Sequence, residues 1–459
     1  MTSTRKTQLA FVMIATLLLI IGFAQSWNVA LGIFNLCLIS AVMALGVNIQ
    51  WGYAGLLNVG VMGFAALGGM SAVLVSKGPI TAAWSASWGR LFLAALCFTA
   101  TISASVYCYR KIPPGRHRSL AIGVVVILGL FATRFFLDPA VSAIEAVEPA
   151  KTGFLGGLGL PIIFSWVIGG FVAAGIAWLI GKVALGLRAD YLAIATLGIS
   201  EIIIAVLKNE DWLTRGVKNV TGLPRPVPYE INLQGSAWFI DLMRWWHSGS
   251  LAALSELEQQ EALKQWVIGG SSIFVKLCYS GLFAAVLAII LLLSIKALNS
   301  PWGRMMRAIR DNEISAGAMG KDVARRHLEI FVIGSAVIGI GGAMLTTLDG
   351  QFTPTSYQPL RYTFLIWVMV IVGGSGNNMG SVLGGFLIWL VWIEAEPVGV
   401  WLMQVGTGWM DEGNALRIHL IGNAQHMRLF FMGLVLLLVL RFSPGGILPE
   451  VIRKRGNKE

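Results

Sequence analysis

Long apolar stretches separated by short charged clusters run along the whole chain, and no residue between Lys6 and Lys77 is charged. At roughly 20 residues per crossing, that first stretch holds two or three helices. Further apolar runs at 91–107, 120–137, 162–185, 191–207, 277–295, 330–348, 362–374, 382–393 and 429–440 bring the total to about 12 passes. Glycines interrupt two regions, 52–69 and 373–385. These pieces read either as closely packed helices or as re-entrant half-helices, and the second reading leaves about 10 full spans. The predicted fold is therefore an all-α polytopic membrane protein with 10–12 transmembrane or re-entrant helices, in one domain over 1–459.

Composition supports this pattern. Only 12% of the 459 residues are charged and 56% are hydrophobic, too few polar side chains to cover soluble cores of this total length. The net charge of +11 takes its meaning from position. Lys and Arg lie in clusters beside apolar runs, at Arg110, Lys111, Arg116 and Arg118, at Arg304, Arg307 and Arg310, at Lys321, Arg325 and Arg326, and at Arg453, Lys454, Arg455 and Lys458. No basic face is interleaved with aromatics, which argues against nucleic acid. By the positive-inside rule the N-terminus, 110–118, Arg188, 296–326 and the tail after Arg441 are cytoplasmic, so both termini are expected inside. The acid-rich stretches 138–151 and 394–425 belong outside.

So does the polar insertion 208–270, with Trp212, Trp238, Trp245, Trp246 and Trp266. The stretch 250–258 begins like a capped amphipathic helix, and the insertion reads either as a docking surface for an external partner or as a cap on lipid headgroups. Arg5 and Lys6 before the apolar stretch 9–24 fit a signal peptide or a retained first span, and an even number of passes favours the span. The cysteines Cys37, Cys97, Cys108 and Cys278 read as small buried hydrophobes.

Hydrolase, zinc-protease, calcium-loop and Walker motifs are missing from the sequence, and the glycines of 373–381 lack the lysine of a phosphate cradle. The chain is expected to bind no ATP of its own. Asn58 and Asn377 are the polar groups of the two glycine-broken regions, and Asn377 with Asn378 suits the cap of a half-helix. Glu201 stands in an otherwise apolar run, where a central carboxylate costs about 2.5–3.5 kcal/mol. It either faces a translocation route or makes an internal hydrogen bond, with Thr196 and, more loosely, Ser200 on its face. In the charged segment 297–327, Arg304, Arg307 and Arg310 recur every three residues beside Met305, Met306 and Ile309. That amphipathic helix, followed by a turn at Gly317 and Gly320, suits a groove in a cytoplasmic partner.

Three stretches carry a family resemblance: Asp190, Tyr191, Gly198 and Glu201 within 187–202; Ser300 to Arg304, Arg307, Arg310, Asp311, Glu313 and Gly320; and 372–376 with Gly380, Gly384 and Gly385. They resemble the LivM-type membrane permease subunit of bacterial branched-chain amino-acid ABC importers. The resemblance covers most of the chain from Trp27 to Pro449. It implies the ABC importer permease fold, a bacterial inner-membrane location, a second homologous permease subunit, two cytoplasmic ATPase subunits that use ATP and Mg, and an extracytoplasmic solute-binding protein. Arg304, Arg307, Arg310, Asp311, Glu313 and Gly320 then form the ATPase-coupling loop. Asn58, Thr196, Glu201 and Asn377 are the expected pathway residues. The chain is not expected to be an enzyme. An ion-coupled amino-acid transporter with Glu201 as its ion site, or an ABC permease for urea or another small polar solute, are the alternatives.

Overall fold

The computed structural model describes residues 3–148, 153–252 and 254–450, so Lys151 and the basic cluster from Arg453 to Lys458 lie outside the described residues. The chain opens with α1 (Ser3–Ala24) and α2 (Trp27–Val47), which a π-helical turn, Asn48–Gly52, ends. After a non-helical stretch the chain enters α3 (Val61–Ser76). Next come the hairpin of α4 (Thr81–Lys111) and α5 (Arg116–Glu145), then α6 (Ile163–Ala184) and α7 (Ala189–Asn209). Four short helices follow, α8 (Asp211–Thr214), α9 (Glu230–Gln234), α10 (Ala237–Trp246) and α11 (Ser248–Leu251).

The long α12 (Glu256–Asn299) leads to α13 (Pro301–Asp311), α14 (Glu313–Ala318) and α15 (Val323–Asp349). The last group is α16 (Pro359–Gly373), α17 (Asn378–Gly406), α18 (Ala415–Gly422) and α19 (Met427–Phe442). Among the described residues, 10 helices are long and apolar enough to cross a membrane, and α3 and α16 are shorter apolar helices. The protein is an all-α, multi-pass membrane protein.

Local chemistry sets the boundaries. Ser255 and Glu258 form a reciprocal capping box at the start of α12, so 256–270, expected in the polar insertion, already belongs to a membrane helix. α17 likewise runs through Pro397 to Gly406, past the expected end near Ile393. Its carboxylates are taken up by neighbours: Glu394 accepts from Gln25 Nε2 at 2.8 Å, and Glu396 pairs with Arg428 of α19. Of the four thiols only Cys37 is fully buried, while Cys97, Cys108 and Cys278 are half-buried.

The core is built from α2, α3, α6, α15, α16 and α17, with residues such as Leu45, Phe64, Phe331, Ile338 and Met369 almost entirely buried. Close backbone approach makes this possible without large side chains. A Cβ at Gly384 would sit 1.8 Å from the Met369 carbonyl oxygen, which lets α16 and α17 touch along their backbones. The α4–α5 hairpin packs on itself, with outward side chains such as Phe92, Phe98, Phe131 and Phe135. A two-stranded antiparallel ladder, β1 (Val220–Thr221) with β2 (Gln351–Phe352), pins the polar insertion to the end of α15.

Candidate translocation and coupling site

The two glycine-broken regions meet. Asn48 Oδ1 accepts from Gly376 N at 2.8 Å, and Asn48 Nδ2 donates to Asn378 Oδ1 at 3.0 Å. Both helix interruptions are therefore closed by side-chain amides in a buried setting, as interrupted backbone inside a membrane requires. Asn377 caps α17 by accepting from Met379 N at 3.0 Å, and its Nδ2 donates to the carbonyls of Leu448 and Pro449. It works as a cap and tether and has little left to offer a solute.

Asn58 is fully buried. Its Nδ2 donates to Gln50 Oε1 at 2.9 Å, its Oδ1 accepts from Gly60 N at 2.9 Å, and its carbonyl accepts from Trp367 Nε1 at 3.0 Å. Thr196 and Ser200 reach this region from α7: Thr196 Oγ1 accepts from Val59 N of the loop at 3.0 Å, and Ser200 Oγ accepts from Gly63 N in the first turn of α3 at 2.8 Å. These hydroxyls supply acceptors for amides that the break leaves without helical partners.

Glu201 is not part of this cluster. Leu192, Thr196, Ser200, Ile204 and Leu207 form the buried stripe of α7, whereas Glu201 is exposed beside Ile194 and Ile202. The expected sharing of a face with Thr196 is corrected here: five residues turn a helix by about 140° beyond a full turn, while the four between Thr196 and Ser200 nearly close one. The side chain of Glu201 has no hydrogen bond or ion pair within the described chain, so the internal bond offered as an alternative is not made.

The charged loop folds back onto the bundle. Gly303 lies so near the last turn of α12 that a Cβ would meet Leu298 Cα at 2.4 Å. Arg307 Nη2 donates to Leu298 O at 3.0 Å, and Arg304 Nη1 to Asn299 O at 3.2 Å. The apolar side of α13 also points inward, with Met306 and Ile309 buried, and is not offered to a partner groove as its amphipathic pattern suggested.

Arg310 reaches deepest. It donates to the Gly52 carbonyl at the end of the π-turn, pairs with Glu450 at 2.9 Å and touches Asp311 at 3.2 Å. Burial works against its charge, but the hydrogen bonds and charges of Glu450 and Asp311 prevail and hold the guanidinium above its ordinary pKa. Asp311 and Glu313 are exposed. Asn312 caps α14 by accepting from Ser315 N at 2.9 Å, and Gly320 makes the left-handed turn into α15 at φ 76°. α14 precedes that turn, and Gly317 lies inside it. Its Ile314 and the following Met319 are 86% and 80% exposed, the apolar tip that the arginine periodicity concealed.

A family profile described as "Branched-chain amino acid transport system / permease component" matches residues 114–440. The chain belongs to this family. The high-affinity branched-chain amino acid transport system permease protein LivM of Escherichia coli (strain K12) is 27% identical over 274 residues, 59% of this chain and 59% of that one. LivM of Salmonella typhimurium (strain LT2) is 27% identical over the same length and shares. A probable branched-chain amino acid transport permease protein LivM of Methanocaldococcus jannaschii is 28% identical over 155 residues, 34% of this chain and 41% of that one. The chain thus spans 59% of the length of the first two relatives. No solved structure matches it. Within this family member, the helix breaks, the α7 pins and the Arg310 link form one connected polar path from α13 to the interior.

Proposed function

We propose that the chain is the membrane-spanning permease subunit of an ATP-driven importer that carries leucine, isoleucine, valine or a related small polar solute across the bacterial inner membrane. It works beside a second homologous permease subunit, two cytoplasmic ATPase subunits and an extracytoplasmic solute-binding protein. ATP and Mg act in the ATPase subunits, and this chain itself carries out transport. Both termini lie in the cytoplasm, with the basic loops.

The observation that carries this reading is the Arg310 link. At the end of α13 that leads into the exposed α14, Arg310 is bonded to the carbonyl that ends a broken membrane helix. Movement imposed on α14 is passed to that break and biases the bundle between inward-open and outward-open states. Glu201 fits the same scheme from outside the subunit. A mid-membrane carboxylate on an outward face needs a partner or water, and the route between two permease subunits provides either.

The test is uptake of labelled leucine by cells producing the chain together with a second permease subunit, ATPase subunits and a solute-binding protein of this importer type. Uptake that follows ATP and survives dissipation of ion gradients supports the importer. Uptake that collapses with the ion gradient while ATP is intact overturns it in favour of an ion-coupled carrier. Glu201→Gln and Glu201→Ala should both lower uptake at unchanged protein level, and two unimpaired variants would remove Glu201 from the pathway.

A further inference from the structure

At the end of α15 remote from α13, a cavity of about 280 Å³ opens between α2, α3, α15, α16 and α17. That volume suits a small solute. One part of the wall is aliphatic, including Met43, Met62, Ile366 and Met369. The lining also carries three residues with unused polar groups. The side chain of Asp349, an exposed residue at the cavity's edge, has no hydrogen bond or ion pair within the described chain. Trp389 Nε1 and Thr353 Oγ1 are buried without a hydrogen-bond partner. Native proteins seldom leave buried donors unpaired, and those that do commonly hold a partner of another kind at the site. Tyr357, also in the lining, is not available in the same way, because its hydroxyl is 2.7 Å from Thr346 Oγ1.

One free carboxylate, one indole N–H, one hydroxyl and an aliphatic wall are complementary to an aliphatic α-amino acid. The ammonium group requires the anion, the carboxylate requires the donors, and the side chain requires the apolar surface. We propose that this cavity is a solute-binding site contained within a single subunit, with Asp349 receiving the ammonium group and Trp389 and Thr353 the carboxylate of an aliphatic amino acid. The proposal rests on the reading of the chain as an amino-acid permease. It adds a binding station at the bundle end opposite the coupling helices, separate from the Glu201 face of α7.

The test uses the full chain in lipid nanodiscs and tritiated leucine, with leucinamide, which keeps only the amine, and 4-methylpentanoate, which keeps only the carboxylate, as competitors. Saturable binding of one leucine per chain is expected, with each competitor weaker than leucine by about tenfold or more. Asp349→Asn should weaken leucine and leucinamide by a similar factor and leave 4-methylpentanoate unaffected. Trp389→Phe and Thr353→Val should weaken leucine and 4-methylpentanoate more than leucinamide, whose neutral amide oxygen accepts more weakly than a carboxylate. Asp349→Asn and Thr353→Val nearly preserve shape and Trp389→Phe keeps a smaller aromatic ring, and elution as a single peak in size-exclusion chromatography shows that each variant is folded. Absence of saturable binding at millimolar leucine, or equal affinity in all three variants and the parent, overturns the proposal. ATP-driven uptake by the assembled importer separates the two readings. Normal uptake with indifferent cavity variants removes the cavity alone, whereas gradient-driven uptake removes the importer reading whatever the cavity binds.

Discussion

Replacing Arg310 is the sharpest probe of the coupling path. Its side chain is 23% exposed and that of Glu450 18%, so their 2.9 Å contact is shielded far more than a surface ion pair worth about 0–1 kcal/mol. Arg310→Ala also leaves the Gly52 carbonyl without its donor. Hydrogen bonds to charged groups contribute about 1.5–3 kcal/mol each, and partial exposure places the combined loss near the lower end, about 3 kcal/mol. Arg310→Lys keeps the charge but lacks the planar fork that serves Gly52 and Glu450 together, and it should recover less than half of that loss. Glu450→Gln alone should cost about 1–2 kcal/mol. Thermal unfolding of the four corners of an Arg310→Ala and Glu450→Gln cycle should give a coupling energy of about 1–2 kcal/mol. In reconstituted vesicles, Arg310→Ala should leave ATP hydrolysis in place while the leucine moved per ATP falls. A coupling energy indistinguishable from zero, together with normal transport per ATP, would refute the link.

Three further outcomes follow from the packing. Thr196→Val leaves the part-buried Val59 amide of the loop without its acceptor and Ser200→Ala the buried Gly63 amide in the first turn of α3, so each should cost about 1–3 kcal/mol in thermal unfolding, with Asn58→Ala at least as severe. Gly384→Ala puts a methyl group on the Met369 carbonyl and should reduce the amount of membrane-inserted protein sharply, read by immunoblot, whereas Gly198→Ala, with open space around it, should not. Ile314→Asp together with Met319→Asp, both at exposed positions, should leave folding intact and abolish co-purification of the ATPase subunits; undiminished co-purification would place the contact elsewhere.

The spans were legible in the sequence because membrane crossing depends on apolar length, whereas Gly373, Gly374 and Gly376 beside Asn377 suited close packing as well as an interruption, and the bonds of Asn48 to Gly376 and Asn378 decide for the interruption. The direction a side chain faces was less legible. Glu201 and Ser200 are adjacent in sequence, yet one is exposed and the other holds the first turn of α3, and only the packing of α7 against α3 decides which. The inward turn of α13 depends on contact between Gly303 and Leu298, and the periodic arginines look the same whether the helix stands free or folds back. The cavity had no linear signature, since its walls come from positions as distant as Leu36 and Trp389, and Asp349 reads as an ordinary charge at the end of a span.

The contact between Arg310 and Glu450 also bears on the order of assembly. During synthesis α13 leaves the ribosome well before Glu450 exists, and until the segment after α19 folds back, Arg310 lacks one of its two anionic neighbours. The surface bearing Ile314 and Met319 is then backed by an unfinished joint. For the importer proposed above, docking that requires the completed geometry would then be confined to chains whose α19 has already inserted.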